Sequence, residues 1–130
     1  MTEKSLWGEL PTRDLVRTPY QILHEQGALL GEMTGDLLVG KVQRRTNADG
    51  IHLALSIVAP DLDNYAYTVL HVKHGIEIYP VFVGDEEHAF TRDMVKCENE
   101  DEFVQALGRS LSSEQVKKVI RGLLSQVKFN

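Results

Sequence analysis

The chain has 130 residues, of which 42% are hydrophobic and 25% charged, and its formal net charge is −5. These values are typical of one globular domain that is long enough to bury a hydrophobic core. Lys and Arg number 14 against 19 Asp and Glu, which disfavours a nucleic-acid partner, because phosphate binding needs a concentrated basic face.

The sequence also lacks the features of secreted and membrane-spanning chains. Its single cysteine, Cys97, excludes an intrachain disulfide. Residues 1–14 contain acids and a proline and lack the apolar region of a signal peptide. No apolar run approaches the roughly 20 residues that span a bilayer. We therefore expect a cytoplasmic protein with no membrane partner.

Residues 1–17 are polar, with scattered large apolar side chains such as Leu6, Trp7 and Leu10. One interpretation is an arm that docks onto the body of the protein through Trp7. The other is a flexible terminus, because chain ends without anchoring contacts are commonly frayed. Both interpretations stay open, within a single domain that spans residues 1–130.

The segment that follows has the features of a helix N-terminus. Thr18 is a suitable cap, Pro19 suits the first helical position, and Gln21 stands where a capping box has Glu or Gln. Gly35 is the expected stop, so the pattern predicts a helix from Pro19 to about Thr34.

Two features of this helix need an explanation. Gln26 lies in the middle of an otherwise apolar arc, so we expect it either to bond a strand backbone, which we favour, or to line a pocket. Gly27 and Gly31 lie one turn apart, and each costs about 1 kcal/mol in helix propensity relative to Ala. Either a dimer seam or close packing on the protein's own sheet accounts for the glycines, and we favour the second.

The middle of the chain predicts a first hairpin. Residues 37–45 and 51–58 are separated by a loop, residues 46–50, that is rich in turn-forming side chains. Apolar side chains alternate along 51–58, so one face of this strand belongs to the core and the other is mixed.

Residues 65–83 predict a second hairpin that turns at His74-Gly75, with Val69 opposite Pro80. Alternation places Tyr67 and His71 on one face of its first strand. Neither face of the hairpin is polar, so we expect cover on both faces. Pro80 has no N–H to give a ladder bond, which predicts an edge strand or a bulge.

The remainder predicts an acidic surface loop at residues 84–88 and leaves a fifth strand at residues 94–97 open. Asn99 and Ser112, each followed three residues later by Glu or Gln, predict the N-caps of two C-terminal helices. The element order predicts an α+β fold: an N-terminal helix, a four-stranded or five-stranded antiparallel β-meander, and two C-terminal helices packed on the sheet.

No catalytic, cofactor or metal site is predicted. His71 and His74 point to opposite faces of an extended strand and cannot hold one metal together. Cys97 lies beside Glu98, an acid that raises rather than lowers a thiol pKa. The sequence contains neither a glycine-rich phosphate loop nor a Gly-x-Ser-x-Gly nucleophile elbow.

The hypothesis that these features favour is a small non-catalytic protein–protein interaction module, which binds a second copy as a homodimer or a cognate protein. The alternative is an enzyme or small-ligand binder with a pocket between the first helix and the 65–83 hairpin. The residues expected to contact a partner or ligand are Tyr67, His71, Tyr79, Pro80, Phe82 and Gln26. In size, acidity and α+β class the chain is similar to bacterial secretion chaperones and immunity proteins, although the chaperone pattern places a helix between its strands.

Overall fold

The computed structural model describes residues 4–13, 15–85 and 94–128 of the chain. It confirms the α+β class: a helix, a five-stranded antiparallel sheet in the order β1-β2-β3-β4-β5, and two C-terminal helices packed on that sheet. The elements are α1 (Pro19–Met33), β1 (Val39–Asn47), β2 (Gly50–Ala59), β3 (Tyr65–His74), β4 (Val81–Asp85), β5 (Val95–Cys97), α2 (Glu100–Leu111) and α3 (Glu114–Lys128).

The fifth strand, left open by the sequence, is present as β5. Of the loop predicted at residues 84–88, Gly84 and Asp85 belong to β4, and residues 86–88 lie outside the described residues. In the described part of the chain, no helix is both long enough and apolar enough to cross a bilayer.

The start of α1 confirms the predicted capping box. The Gln21 backbone N–H donates to Thr18 Oγ1 at 3.2 Å, and the Thr18 backbone N–H donates to Gln21 Oε1 at 2.9 Å. Two of the backbone donors that a helix start leaves unsatisfied therefore have partners within the chain. This cap fixes where α1 begins.

The two C-terminal helices are capped in the same way, with one correction. The Glu102 N–H donates to Asn99 Oδ1 at 2.9 Å, as predicted. The cap of α3 is Ser113, whose Oγ accepts from the Val116 N–H at 3.2 Å, so the prediction of Ser112 was wrong by one residue. Ser112 instead ends α2, where its hydroxyl donates to the Gly108 carbonyl at 2.7 Å.

One hydrophobic core lies between the sheet and the three helices. From the sheet it takes alternate residues of β2 with their partners on β3 and β4. From the helices it takes Leu23 of α1, Phe103 of α2 and Leu123 of α3. The buried side chains of all three helices belong to this one cluster, so the helices cover the same face of the sheet.

The approach of α1 to the sheet is set by two glycines. A Cβ on Gly27 would lie 2.8 Å from the carbonyl oxygen of Gly40 on β1, and a Cβ on Gly40 would lie 2.3 Å from Gly27 Cα. Beside this contact the Arg44 guanidinium lies over the Tyr20 ring, 4.6 Å from its centroid. The glycine stripe therefore serves close packing on the protein's own sheet, as favoured from the sequence.

This orientation overturns the expectation for Gln26. Gly27 and Gly31 lie against the strand. At the start of α1 Ile22 and Leu23 of the neighbouring apolar arc are buried, but further along the helix this arc turns to solvent and Gln26 is exposed. Leu29 and Met33 of the predicted apolar arc are exposed as well. The helical pattern of the sequence identified the apolar side chains correctly. The close backbone contact at the glycines, however, decides which side of the helix is buried.

The predicted register of the second hairpin was wrong. His74 pairs with Val81 and Leu70 with Asp85, so residues 75–80 form a loop and Pro80 lies outside the β3–β4 ladder. This register places Val81 in the core, fully buried, and removes the need for a ladder N–H from proline. The sequence predicted that both faces of this hairpin are covered. The helices cover one of these two faces.

A second difference lies within β3. Leu55 pairs with Leu70 but Ser56 pairs with Thr68, so Val69 is an extra residue in the strand, a β-bulge. Val69 and Leu70 are consecutive and both buried. The bulge moves Tyr67 onto the helix-covered face, opposite Ile57, whereas simple alternation had placed it beside His71.

The glycine contact is testable. Gly27→Ala should lower the free energy of unfolding by about 1–3 kcal/mol, because the added methyl overlaps the Gly40 backbone and outweighs the gain in helix propensity. Gly122→Ala is the matched control, since a Cβ at that position of α3 meets nothing within 4 Å, and it should raise stability by up to about 1 kcal/mol. Urea denaturation followed by circular dichroism measures both; equal effects of the two variants would contradict the assigned contact.

Candidate functional site

The sheet face opposite the helices carries a row of side chains that crosses all five strands. Arg45 pairs with His52, His52 with Lys73, Lys73 with Phe82, and Phe82 with Lys96. We call this set the cross-strand row. Directly paired residues of an antiparallel sheet project from the same face, so the row forms one continuous strip.

The open face is the surface formed by the cross-strand row and the two rows next to it. The adjacent rows are Gln43, Ala54 and His71, then Lys41, Ser56 and Thr68. The hydroxyls of Ser56 and Thr68 lie 3.3 Å apart and form a hydrogen bond across β2 and β3. The side chains of Lys41, Gln43 and Arg45 are exposed, and those of His52, His71 and Lys73 are half-buried.

The open face is cationic although the chain is acidic overall. Among the strand residues that the structure describes on this face, the charged ones are Lys41, Arg45, Lys73 and Lys96, without an Asp or Glu. Lys96 forms a salt bridge with Glu98 at 3.2 Å. Arg45 and Lys73 form no salt bridge with any described carboxylate. The positive charge near the middle of the row is therefore available to a binding partner.

His52 experiences this charge directly. Burial lowers its pKa below the ordinary value of 6.5, and the positive charges of Lys73 and Arg45 lower the pKa further, against a smaller opposing effect of Asp49. A lowered histidine pKa is expected where cations are close and water is partly excluded. The lowered pKa of His52 therefore follows from its burial and from the two cations beside it.

Two shallow depressions lie along the open face. The larger, of about 570 Å³, is bordered by Arg45, His52 and His71. The other, of about 400 Å³, lies between Lys73, Phe82 and the loop of residues 75–80. Both are within the volume range of small-molecule sites. They are neighbours, because Arg45 and His52 of the first belong to the same row as Lys73 and Phe82 of the second.

The loop beside the smaller depression is strained. Ile78 has a φ of 79°, a left-handed conformation that is rare for a β-branched residue, and Ile76 is 87% exposed. The strand before the loop ends at His74, which is buried and whose Nδ1 donates to the Gly75 carbonyl at 2.8 Å. Strained backbone of this kind persists where the surroundings hold it and is concentrated near binding sites.

Tyr79 lies on the other side of this loop, packed against the core. Its hydroxyl oxygen is buried and has no hydrogen-bond partner among the described residues. Burial raises the pKa of this phenol, and the negative charge of Glu100 adds to the effect. A phenol kept protonated in this way is a poor base, so Tyr79 is suited to packing and not to proton abstraction.

The structure does not bring the six predicted contact residues together. Gln26 is exposed on α1, and Tyr67 lies on the helix-covered face. His71 and Phe82 share the open face, one row apart. The remaining two, Tyr79 and Pro80, belong to the loop before β4, where they border the smaller depression with Phe82.

Sequence reasoning missed the row as a unit. It assigned no binding role to Arg45, His52 or Lys73. The β2–β3 pairing joins them, and the bulge at Val69 fixes that pairing. The signal for the row in the sequence is a cationic residue on each of three strands, at a position of the alternating pattern that faces away from the core.

Metal and thiol chemistry receive no support from the described residues. No group of three or more His, Cys, Asp or Glu side chains among them is placed to hold a metal ion. Cys97 is buried, and burial followed by the nearby charge of Glu102 raises the pKa of its thiol. A raised thiol pKa disfavours the thiolate that a nucleophile needs.

Comparisons with known proteins place the chain in no family. No protein-family model, curated protein sequence or solved structure gives a significant match. The evidence for function is therefore the geometry and charge of the open face.

The His52 environment predicts a pH dependence. Because the folded pKa lies below 6.5, the unfolded chain binds the His52 proton first as the pH falls. His52 thus contributes stability that is complete above about pH 6.5 and is lost as the pH falls through 6.5 towards the folded pKa. Replacement by glutamine, His52→Gln, should make the loss of stability below this pH shallower than in the wild type.

Lys73→Gln provides the second test of the same environment. Removing this cation should raise the pKa of His52, as measured by NMR titration of its imidazole carbon-bound protons. An unchanged His52 titration in Lys73→Gln would show that the row is not electrostatically coupled.

Proposed function

We propose that the protein is a non-catalytic cytoplasmic module that binds an acidic segment of a cognate protein on its open face. The observation that carries this proposal is the cross-strand row, in which three cations and a histidine lie beside Phe82. Complementary charge steers association and selects the partner, and aromatic and arginine side chains are enriched where protein interfaces derive their binding energy.

The dimensions of the row fit an extended peptide. Neighbouring strands lie about 4.8 Å apart, so Arg45 and Lys96, at opposite ends of the row, are separated by about 19 Å along the sheet. An extended chain advances about 3.3 Å per residue, so a segment of about six residues spans the row. Acidic side chains near the start, middle and end of such a segment would lie over Arg45, Lys73 and Lys96, of which Lys96 also binds Glu98.

Self-pairing through this face is disfavoured. In a two-fold symmetric dimer the same surface meets itself, so the cations of one open face would meet those of the other. Like charges placed together across an interface cost several kcal/mol. The open face therefore suits a different, acidic protein, as expected of a chaperone-like or immunity-like role with one cognate partner.

A small anionic ligand is the second candidate. The depression of about 400 Å³ beside Lys73 favours it, because that cation, the Phe82 ring and the strained loop at Ile78 converge there, although Asp49 and Glu77 also line the depression and oppose an anion. The two candidates differ in how much of the open face they contact. A small ligand needs Lys73 and Phe82, whereas a peptide also needs Arg45.

A labelled decaglutamate peptide tests the proposed partner class. It should bind the wild type with an affinity that falls as salt is raised, because the contact is electrostatic. Arg45→Glu and Lys73→Glu should each weaken binding by about tenfold, since one charge contact at an interface is worth about 1.4 kcal/mol or more. Fluorescence anisotropy measures the affinity and circular dichroism verifies the fold.

The matched control is Lys118→Glu, which makes the same charge change at an exposed position of α3. If it weakened binding as much as Lys73→Glu, the attraction would be one of net charge and the proposed face would be wrong. Binding that requires Lys73 but is indifferent to Arg45 would favour the small-ligand candidate, and citrate should then raise the melting temperature.

A further inference from the structure

The segment before α1 exposes an unusual amount of apolar surface. The five large apolar side chains among its described residues are all exposed, with Leu6 at 95% and Trp7 at 83%. We call the described residues 4–13 and 15–17 the arm. Single exposed apolar side chains are ordinary, but a concentration of them in one short segment is typical of a protein contact. The other members are Leu10, Leu15 and Val16.

The arm leaves the body at a fixed point. The Arg17 guanidinium binds Glu25 of α1 and lies 3.5 Å from Glu100 of α2, so the base of the arm is tied to two helices. Trp7 is ten residues before this anchor and can reach up to about 33 Å from it when extended. Within the single chain, Trp7 nevertheless lies against solvent rather than in the core.

A surface on α3 remains incompletely covered. Ile120 and Leu124, one turn apart, are half-buried and line a depression of about 360 Å³. The described residues around them are Lys117, Arg121, Ser125 and Lys128. We call these six residues the α3 patch. Of the apolar arc on this helix, only Val116 and Leu123 are fully buried.

The arm and the α3 patch are complementary. The apolar run of the arm, from Leu6 to Leu10, contains one charge, Glu9, which is exposed. The charged members of the α3 patch are all cations. Lys4 and Arg13 lie outside the apolar run, so they need not face the patch. Two apolar side chains spaced by one turn, with cations on either side, fit an apolar run that carries one acid.

We propose that the arm of one copy packs on the α3 patch of a second copy, and that the exchange is reciprocal. In the single chain the apolar side chains of the arm are exposed, and Ile120 and Leu124 are only half-buried. Contact between two copies covers both of these apolar surfaces. Two arms contribute ten large apolar side chains, with Trp7 the largest. A specific interface buries about 1,200 Å² or more, and a reciprocal exchange of this size can reach that area.

Trp7 allows a direct test, because it is the only tryptophan of the chain. In the full-length protein, its fluorescence emission should shift to shorter wavelength and become protected from acrylamide as the protein concentration rises. Light scattering over the same dilution series should show the mass change from monomer to dimer in parallel. Trp7→Ala should remain monomeric at concentrations where the wild type is a dimer.

Three outcomes would overturn the proposal. Trp7 protection in a monomer, independent of concentration, would place the arm on its own chain. A dimer whose Trp7 stays accessible to acrylamide would use another surface. A monomer with accessible Trp7 at every concentration would leave the arm without a partner copy.

A charge exchange identifies the α3 patch as the receiving surface. Glu9→Lys and Arg121→Glu should each raise the dimer dissociation constant about tenfold, because each places like charges together. Combining Glu9→Lys with Arg121→Glu should restore most of the lost affinity. Lys118→Glu, on α3 but outside the patch, should leave the dimer dissociation constant unchanged. If the double variant did not recover affinity, the pairing of Glu9 with Arg121 would be excluded. The interface is separate from the open face, so either assignment can fail alone.

Discussion

The contact between Gly27 and Gly40 is the constraint on which the rest of the molecule depends. It lets α1 lie backbone-to-backbone on β1, at a distance that any side chain would prevent. Because α1 is held there by its glycines, its larger apolar residues Leu29 and Met33 remain at the surface. The core is then completed by α2 and α3 on the same face of the sheet, which leaves the other face without a helix in the described chain.

That one-sided cover gives the two faces of the sheet different chemistry. Carboxylates are abundant in the chain, yet those of the α2 first turn lie at a helix start, where they complement the N-terminal end of the helix dipole. Four of the five described strand cations lie instead on the open face, the exception being Arg44, which packs over Tyr20 of α1. A protein of net charge −5 thereby presents a positive strip, and overall charge alone would suggest the opposite partner.

Local signals in the sequence predicted the elements well. The caps at Thr18 and Asn99 depend on side chains within three residues, so one short stretch contains all the information. The β3–β4 register could not be obtained in this way, because a loop of any length about Gly75 preserves the local pattern. Gln26 was misplaced for a similar reason: only a contact with a distant strand decides which stripe of α1 is buried. Prediction of the cross-strand row would have required the strand register and the contacts between distant strands, neither of which local sequence contains.

The bulge at Val69 reverses the side of the sheet that the odd-numbered residues of β3 face. Before it, Tyr67 points into the core; after it, His71 and Lys73 point out of the sheet, although odd-numbered residues of an uninterrupted strand share one side. One inserted residue thus lets a single strand supply core aromatics at one end and cationic surface at the other. After the bulge, His71 and Lys73 alternate with the buried Leu70 and Val72, so this half of β3 carries both core side chains and open-face side chains.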